Sequence, residues 1–438
     1  MIKSNLSGLT LLAFALASVL LQAPRAEGGQ EFAEARYEDS SKTPELGTGK
    51  FASFPFKVSV SVRGGYDDNV DSSSFDTRES FFTSGSVGVT YDFGSPRTRI
   101  TLNSGAGVTY YFDDDNDFDS DFDDGNSSDD YDFNVFLSLG VTHKATPRLT
   151  FAASIFATYQ SEPNFDTFNA GIGLTRQSRD FFYTVDKFSV SYLWTPRFST
   201  ATSYTFGHIN YDDELISDFE DRFEHTFGNE FRFLVMPTTT LVAEYRFGFI
   251  DYINADNRNS TSHFLLGGID HSFNPRFNAS VRAGVEFREF DGGDDDDDDF
   301  DPNTDGSRTQ PYFEGTVNYA IAQTTAVTLT GRYSLEQPDV PEAFSRTTFR
   351  TSLQLRHAFT ARISSTLGVA YQHDDNQGSF AVDGFNEDSF DLLLGVRYTI
   401  ARNWALDAGY QHIEVVSDEA LFRDFSRNRY FAGATFSF

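Results

Sequence analysis

The sequence predicts an all-β chain, a transmembrane antiparallel up-and-down β-barrel of about eighteen strands, sixteen being the nearest alternative. Three observations carry that expectation. Segments of about ten to fifteen residues alternate apolar with polar side chains, short turns bearing Pro or Arg alternate with long acidic loops, and the N-terminus reads as an export signal. Alternation with a period of two puts one set of side chains on each face of a strand. In lipid, strands are tolerated only when every edge is paired, which a closed barrel achieves.

The N-terminal element comes first. Lys3 precedes an apolar run from Leu9 to Leu21, with small residues near Ala23 and Ala26, the pattern of a secretory signal. That run is too short to cross a bilayer as a helix. Cleavage is placed after Ala26, so residues 1–26 are the signal peptide, 27–55 a flexible periplasmic lead too short for a plug domain, and 56–438 the barrel.

From Phe56 onward the strands fall at about 56–66, 80–93, 98–112, 132–144, 148–160, 182–194, 198–211, 222–235, 239–252, 259–273, 277–290, 309–322, 325–337, 344–359, 362–373, 387–400, 403–415 and 427–438. Eight short turns join them in pairs: Ser95-Pro96-Arg97, Thr146-Pro147-Arg148, Thr195-Pro196-Arg197, Met236-Pro237-Thr238, Asn274-Pro275-Arg276, Gln323-Thr324-Thr325, Thr360-Ala361-Arg362 and Ala401-Arg402-Asn403. An even count places both termini and all these turns in the periplasm, and the acidic loops outside the cell. Ser161 to Phe181 is read as a long third loop, although Phe168, Ala170, Ile172 and Leu174 alternate well enough for a strand.

The two faces are explicit in the strands. Leu241, Ala243, Tyr245, Phe247 and Phe249 oppose Glu244 and Arg246; Phe277, Ala279, Val281, Ala283, Val285 and Phe287 oppose Arg282, Glu286 and Arg288. A slip of one residue would move arginines into lipid at about 2–4 kcal/mol each near the midplane, so register is firmly set. A soluble sandwich also alternates. Export, consecutive hairpins, and aromatics near strand ends such as Tyr110, Tyr111, Phe112, Trp194 and Trp404 favour a membrane wall with an interfacial girdle.

Composition narrows the function. Phe (48) and Tyr (20) are abundant while Trp and Met number two each, as suits a half-buried pleated surface, and mean hydropathy is only -0.39. Cysteine is absent, which excludes thiol nucleophiles, thiolate metal sites and a lipidated N-terminal Cys. Net charge is -31, and the segments Asp113 to Asp132 and Asp291 to Arg308 alone hold 20 of the 65 acids. Nucleic-acid binding, which needs a basic surface, is not expected.

The last strand, Tyr430 to Phe438, ends the chain on an aromatic with apolar residues at every second position, and resembles the signal by which the outer-membrane assembly machinery recognises barrels. Tyr430, Phe436 and Phe438 would carry it. Gly65-Tyr66-Asp67-Asp68-Asn69-Val70 and the repeated Thr-Pro-Arg turns are similar to segments of the putative beta-barrel porin 2 family of bacterial outer-membrane proteins. The resemblance runs from Phe56 to Phe438 and implies a barrel, the outer membrane and, through them, a pore.

Eighteen strands would enclose a lumen wide enough for water. Its inner face is expected to carry Arg232, Glu244, Arg246, Arg282, Glu286, Arg288, Arg332, Arg350, Arg356 and Arg397, with Glu230, Asp391 and Asp407 among further acids. Such charges can set selectivity, or simply pair across neighbouring strands. No cofactor is expected; calcium in the outer loops is the exception to weigh. Asp301-x-Asn303-x-Asp305-Gly306 is the first half of a calcium loop, but its twelfth position is Tyr312, so solvated acid is the simpler reading. Of eight histidines, His373 beside Asp374 and Asp375 is the best catalytic candidate, and a lone His beside acids is usually solvated.

The expected function is therefore a porin-like channel passing small hydrophilic solutes or ions by diffusion, not an enzyme. The alternative is a structural or adhesive surface barrel whose acidic loops bind divalent cations or external partners. Expected partners are outer-membrane lipid and lipopolysaccharide, the barrel-assembly machinery and, on the precedent of trimeric porins, a second copy of the chain.

Overall fold

Four of the short turns are built by the same device. The side-chain oxygen of the first residue accepts two backbone N–H groups: Thr195 Oγ1 from Arg197 (3.3 Å) and Phe198 (3.1 Å), Thr146 Oγ1 from Arg148 and Leu149, Ser95 Oγ from Arg97 and Thr98, Thr360 Oγ1 from Arg362 and Ile363. In the first three of these, Pro at the second position fixes φ for the bend; the Thr360 turn has Ala361 there. The residue before each following strand then lends its carbonyl to the strand beyond: Arg97 to Lys144, Arg148 to Leu193, Arg197 to Leu234, Thr238 to Ser272, Arg276 to Ala320, Thr324 to Ala358, Arg362 to Thr399, and Asn403 to Ser437. The short end of the barrel is thus stitched hairpin to hairpin.

The computed structural model describes residues 56–75, 77–112, 131–160, 180–255, 258–291, 306–338, 343–378, 384–418 and 423–438. Eighteen strands run β1 Phe56–Asp67, β2 Ser80–Gly94, β3 Thr98–Tyr111, β4 Tyr131–Lys144, β5 Leu149–Gln160, β6 Phe181–Thr195, β7 Phe198–Tyr211, β8 Arg222–Met236, β9 Thr239–Tyr252, β10 Ser260–Asn274, β11 Phe277–Phe290, β12 Ser307–Ala322, β13 Thr325–Glu336, β14 Ala343–Ala358, β15 Ile363–Gly378, β16 Phe385–Ala401, β17 Trp404–Ser417 and β18 Phe425–Ser437. Every strand pairs antiparallel with its sequence neighbours, and β1 meets β18 in the register Ser59↔Ser437 to Asp67↔Arg429, closing the barrel. The fold and strand count agree with the sequence reading.

The structure departs from that reading in three places. A helix, α1 (Glu214–Glu220), stands between β7 and β8, where no element was expected. β15 runs to Gly378, past the expected end at 373, because Asp374, Asp375 and Asn376 pair with Glu387, Asn386 and Phe385 rather than forming a solvated loop. Tyr111 does not join the outer girdle: it pairs with Phe82 and is 2% exposed on the inner face. The signal and lead (1–55), the third loop (161–179) and the acidic stretches 113–130 and 292–305 lie outside the described residues, and Asp301, Asn303 and Asp305 with them.

Candidate functional site

Register assigns every strand residue to a face. On β8 to β12 the outer set includes Phe227, Phe231, Phe233, Leu241, Leu265, Ile269 and Phe287, each at least 40% exposed. An apolar surface of that kind is stable only against lipid tails. Among the described strand residues no Lys or Arg lies on this outer face. All eight histidines do, and they bond to neighbours on it: His143 to Thr98, His271 to Thr239, His357 to Thr325, His225 to Tyr204, His263 to Tyr245 and His412 to Asn428, while His208 stacks on Phe223. His373 turns to Asp388 at 2.9 Å. Asp374, its expected partner, points inward and accepts from Thr348.

The same register puts Arg232, Glu244, Arg246, Arg282, Glu286, Arg288, Arg332, Arg350, Arg356 and Arg397 all on the inner face. What their alternation could not reveal is how closely they engage acids. Arg232 meets Glu230 at 2.6 Å and Arg246 meets Glu244 at 2.6 Å. Arg282 bonds Asp270 at 2.7 Å and lies 3.8 Å from Glu244 and 3.9 Å from Glu230, so one guanidinium serves carboxylates on β8, β9 and β10. Arg246 continues across to Glu314 of β12 at 2.7 Å. Higher on the wall, Arg288 pairs with Glu286 at 2.7 Å, and Glu336 takes Arg350 at 2.9 Å with Arg332 and Arg346 at its margin.

This belt is buried rather than bathed. Glu286 is 0% exposed and Arg282 6%, whereas Arg397 is exposed and the Arg332 side chain partly so. Charges so placed hold one another, because an unpaired ion out of water costs several kcal/mol. Asp270, Glu314, Glu336 and Arg346 were not singled out in the sequence; strand parity was the available signal, since Glu314 shares its face with Tyr312 and Thr316 and opposes the outward Phe313. The wall of β2, β3 and β4 is different. The middle of its inner face carries Ser86, Gly88, Thr90, Asn103, Asn134 and Ser138, uncharged and mostly exposed, and its charges, Asp92, Arg99, Asp132 and Lys144, stand near the strand ends.

The closing seam holds a second cluster. Asp67, fully buried, accepts from Arg427 at 2.6 Å and lies 3.5 Å from Arg429. Asp68 accepts the backbone N–H and the side-chain amide of Asn428. Asn69 donates to the carbonyls of Ser73 and Ser426, and Val70 packs on Phe82 and Tyr111. The Asp67 to Val70 segment therefore carries β1–β18 pairing beyond the end of its ladder. Tyr430 faces outward next to this seam, opposite Tyr66, and at the other end of β18 Phe436 and Phe438 line the outer face, with Phe436 against Trp404 and Phe438.

A family model described as putative beta-barrel porin 2 matches residues 48–438. No curated protein matches the chain. Among solved structures, the chain is similar to OccAB3 of Acinetobacter baumannii at 13% identity, covering 87% of this chain and 99% of that one with a TM-score of 0.41. OpdK of Pseudomonas aeruginosa, crystallised with vanillate, is 13% identical over 87% and 99% with a TM-score of 0.43. OccAB4 of Acinetobacter baumannii is 11% identical over 88% and 99% with a TM-score of 0.42.

Proposed function

Because the chain belongs to the putative beta-barrel porin 2 family, we propose that the barrel is a diffusion channel whose solutes are small and hydrophilic and whose lumen charges chiefly shape the passage rather than bind cargo. The protein is an integral barrel of the outer membrane and a porin-like channel. One observation carries the proposal: a closed wall, largely apolar outside without a Lys or Arg among the described strand residues and polar inside, has the inverted arrangement that only a water-containing lumen in lipid rewards. The charge belt is paired and buried, so solute meets mainly the hydroxyl and amide groups of β2 to β4.

A non-catalytic role is supported by the histidines, which all face away from the lumen, so that no imidazole stands beside an inner nucleophile. Residues 1–26 serve as the export signal and 27–55 as the periplasmic lead. The acidic external stretches attract divalent cations diffusely and bridge to anionic lipopolysaccharide; calorimetric titration with calcium releases heat above buffer on this reading, and no heat removes it. The channel itself is tested in planar bilayers. Purified, folded protein gives stepwise currents, and a bilayer that stays silent at saturating protein sinks the proposal.

A further inference from the structure

Side chains cross the lumen in two tiers. In the upper one, Ile216 of α1 packs with Phe181 and Tyr183 of β6 and with Ile209 and Tyr211 of β7. The far end of α1 is gripped by Arg258, which donates to the Phe219 carbonyl at 2.6 Å and to Glu220 at 3.1 Å, lies over the Tyr252 ring at 4.7 Å, and reaches the Pro338 carbonyl at 3.4 Å. Tyr252 donates to Gln337 at 2.9 Å. Gln337 and Pro338 follow β13, far round the ring from β6. In the lower tier, Arg246 of β9 reaches Glu314 of β12 at 2.7 Å, and Arg288 of β11 donates to the Leu335 carbonyl of β13 at 3.2 Å.

Exposure follows this division. On the inner face of β7 to β11, Ala201 is 7% exposed, Ser262 5% and Arg282 6%. On the same face of β2 to β4, Ser86, Asn103, Asn134 and Ser138 are exposed. We propose that the strap from β6 through α1 and Arg258 to the end of β13, with the Arg246 to Glu314 tier beneath it, partitions the lumen, confining the water path to the side of β2, β3 and β4, whose inner wall is uncharged between its charged ends. The inference rests on the channel reading and adds to it where solute travels and which residues it meets: a hydroxyl- and amide-lined track suited to neutral polar solutes.

The absence of cysteine makes the test clean, since a single introduced thiol is the only one present. Ser86→Cys, Asn103→Cys and Ser138→Cys are compared with Ala201→Cys and Ser262→Cys, each first confirmed folded by its heat-dependent mobility in detergent gels. A water-soluble, negatively charged methanethiosulfonate reagent is added to single channels. It is expected to cut the current of the first three by about twofold or more and leave the last two unchanged. Equal modification of both sets, or unblocked current in the first three, overturns the partition. Mass-spectrometric labelling of the same variants in vesicles separates the two readings. If the wild type passes no current, selective labelling of the β2 to β4 thiols still supports the partition while the channel reading falls, and uniform labelling overturns the partition itself. Arg258→Ala, which cuts the strap, is expected to make the Ser262→Cys thiol reactive; a thiol still protected counts against the strap.

Discussion

At the scale of single residues, the seam illustrates how far pattern reading reaches. Gly65 to Val70 is visible in the sequence as a segment shared with a family, yet its task is not, because Asp67 finds Arg427 at a separation of 360 residues. A local pattern says nothing about a partner that arrives only when the ring closes. Asp67 and Arg427 are 0% and 3% exposed, so removing one leaves the other charge buried and uncompensated. Asp67→Asn is accordingly expected to cost about 3–5 kcal/mol, read as a lowered urea midpoint for unfolding from detergent or lipid. A midpoint equal to that of the wild type would show that Arg429 and water suffice.

At the scale of elements, strands and turns were legible and the helix was not. A strand announces its two faces over ten or more residues, and several turns repeat a side-chain acceptor, Pro and Arg. α1 has seven residues, too few to establish a 3.6-residue period, and it is held by contacts to β6, β7 and the loop after β9. Two element-level outcomes follow. Thr195→Ala removes the acceptor for the Arg197 and Phe198 amides and should destabilise by about 0.5–1.5 kcal/mol, without altering conductance. Phe231→Arg, near the middle of β8 on the outer face and 50% exposed, should cost about 2–4 kcal/mol in lipid. An equilibrium unfolding series in vesicles measures both, and a harmless Phe231→Arg would contradict the assignment of the outer face.

At the scale of the molecule, parity delivered the closed ring and the inward direction of its charges, but not the shape of its cross-section. Contacts such as Arg246 to Glu314, or Arg258 to Pro338, join strands that are not neighbours, and no alternation along a chain encodes the distance across a ring. The consequence is that inward charges divide into two kinds. Arg282 is locked among Asp270, Glu230 and Glu244, whereas Arg397 stands exposed on the inner face of β16. Ion selectivity responds to charges whose field reaches the water path unscreened by a bonded partner. Arg397→Glu should therefore raise cation-over-anion permeability roughly twofold or more, seen as a shifted reversal potential under a salt gradient, and the shift should shrink at high salt. Arg282→Gln should leave the reversal potential nearly in place while lowering stability, because it breaks a buried network rather than a ring of pore charge. Were Arg282→Gln to move selectivity as strongly as Arg397→Glu, the enclosed sector would be conducting, and the division of the lumen would be wrong at its base.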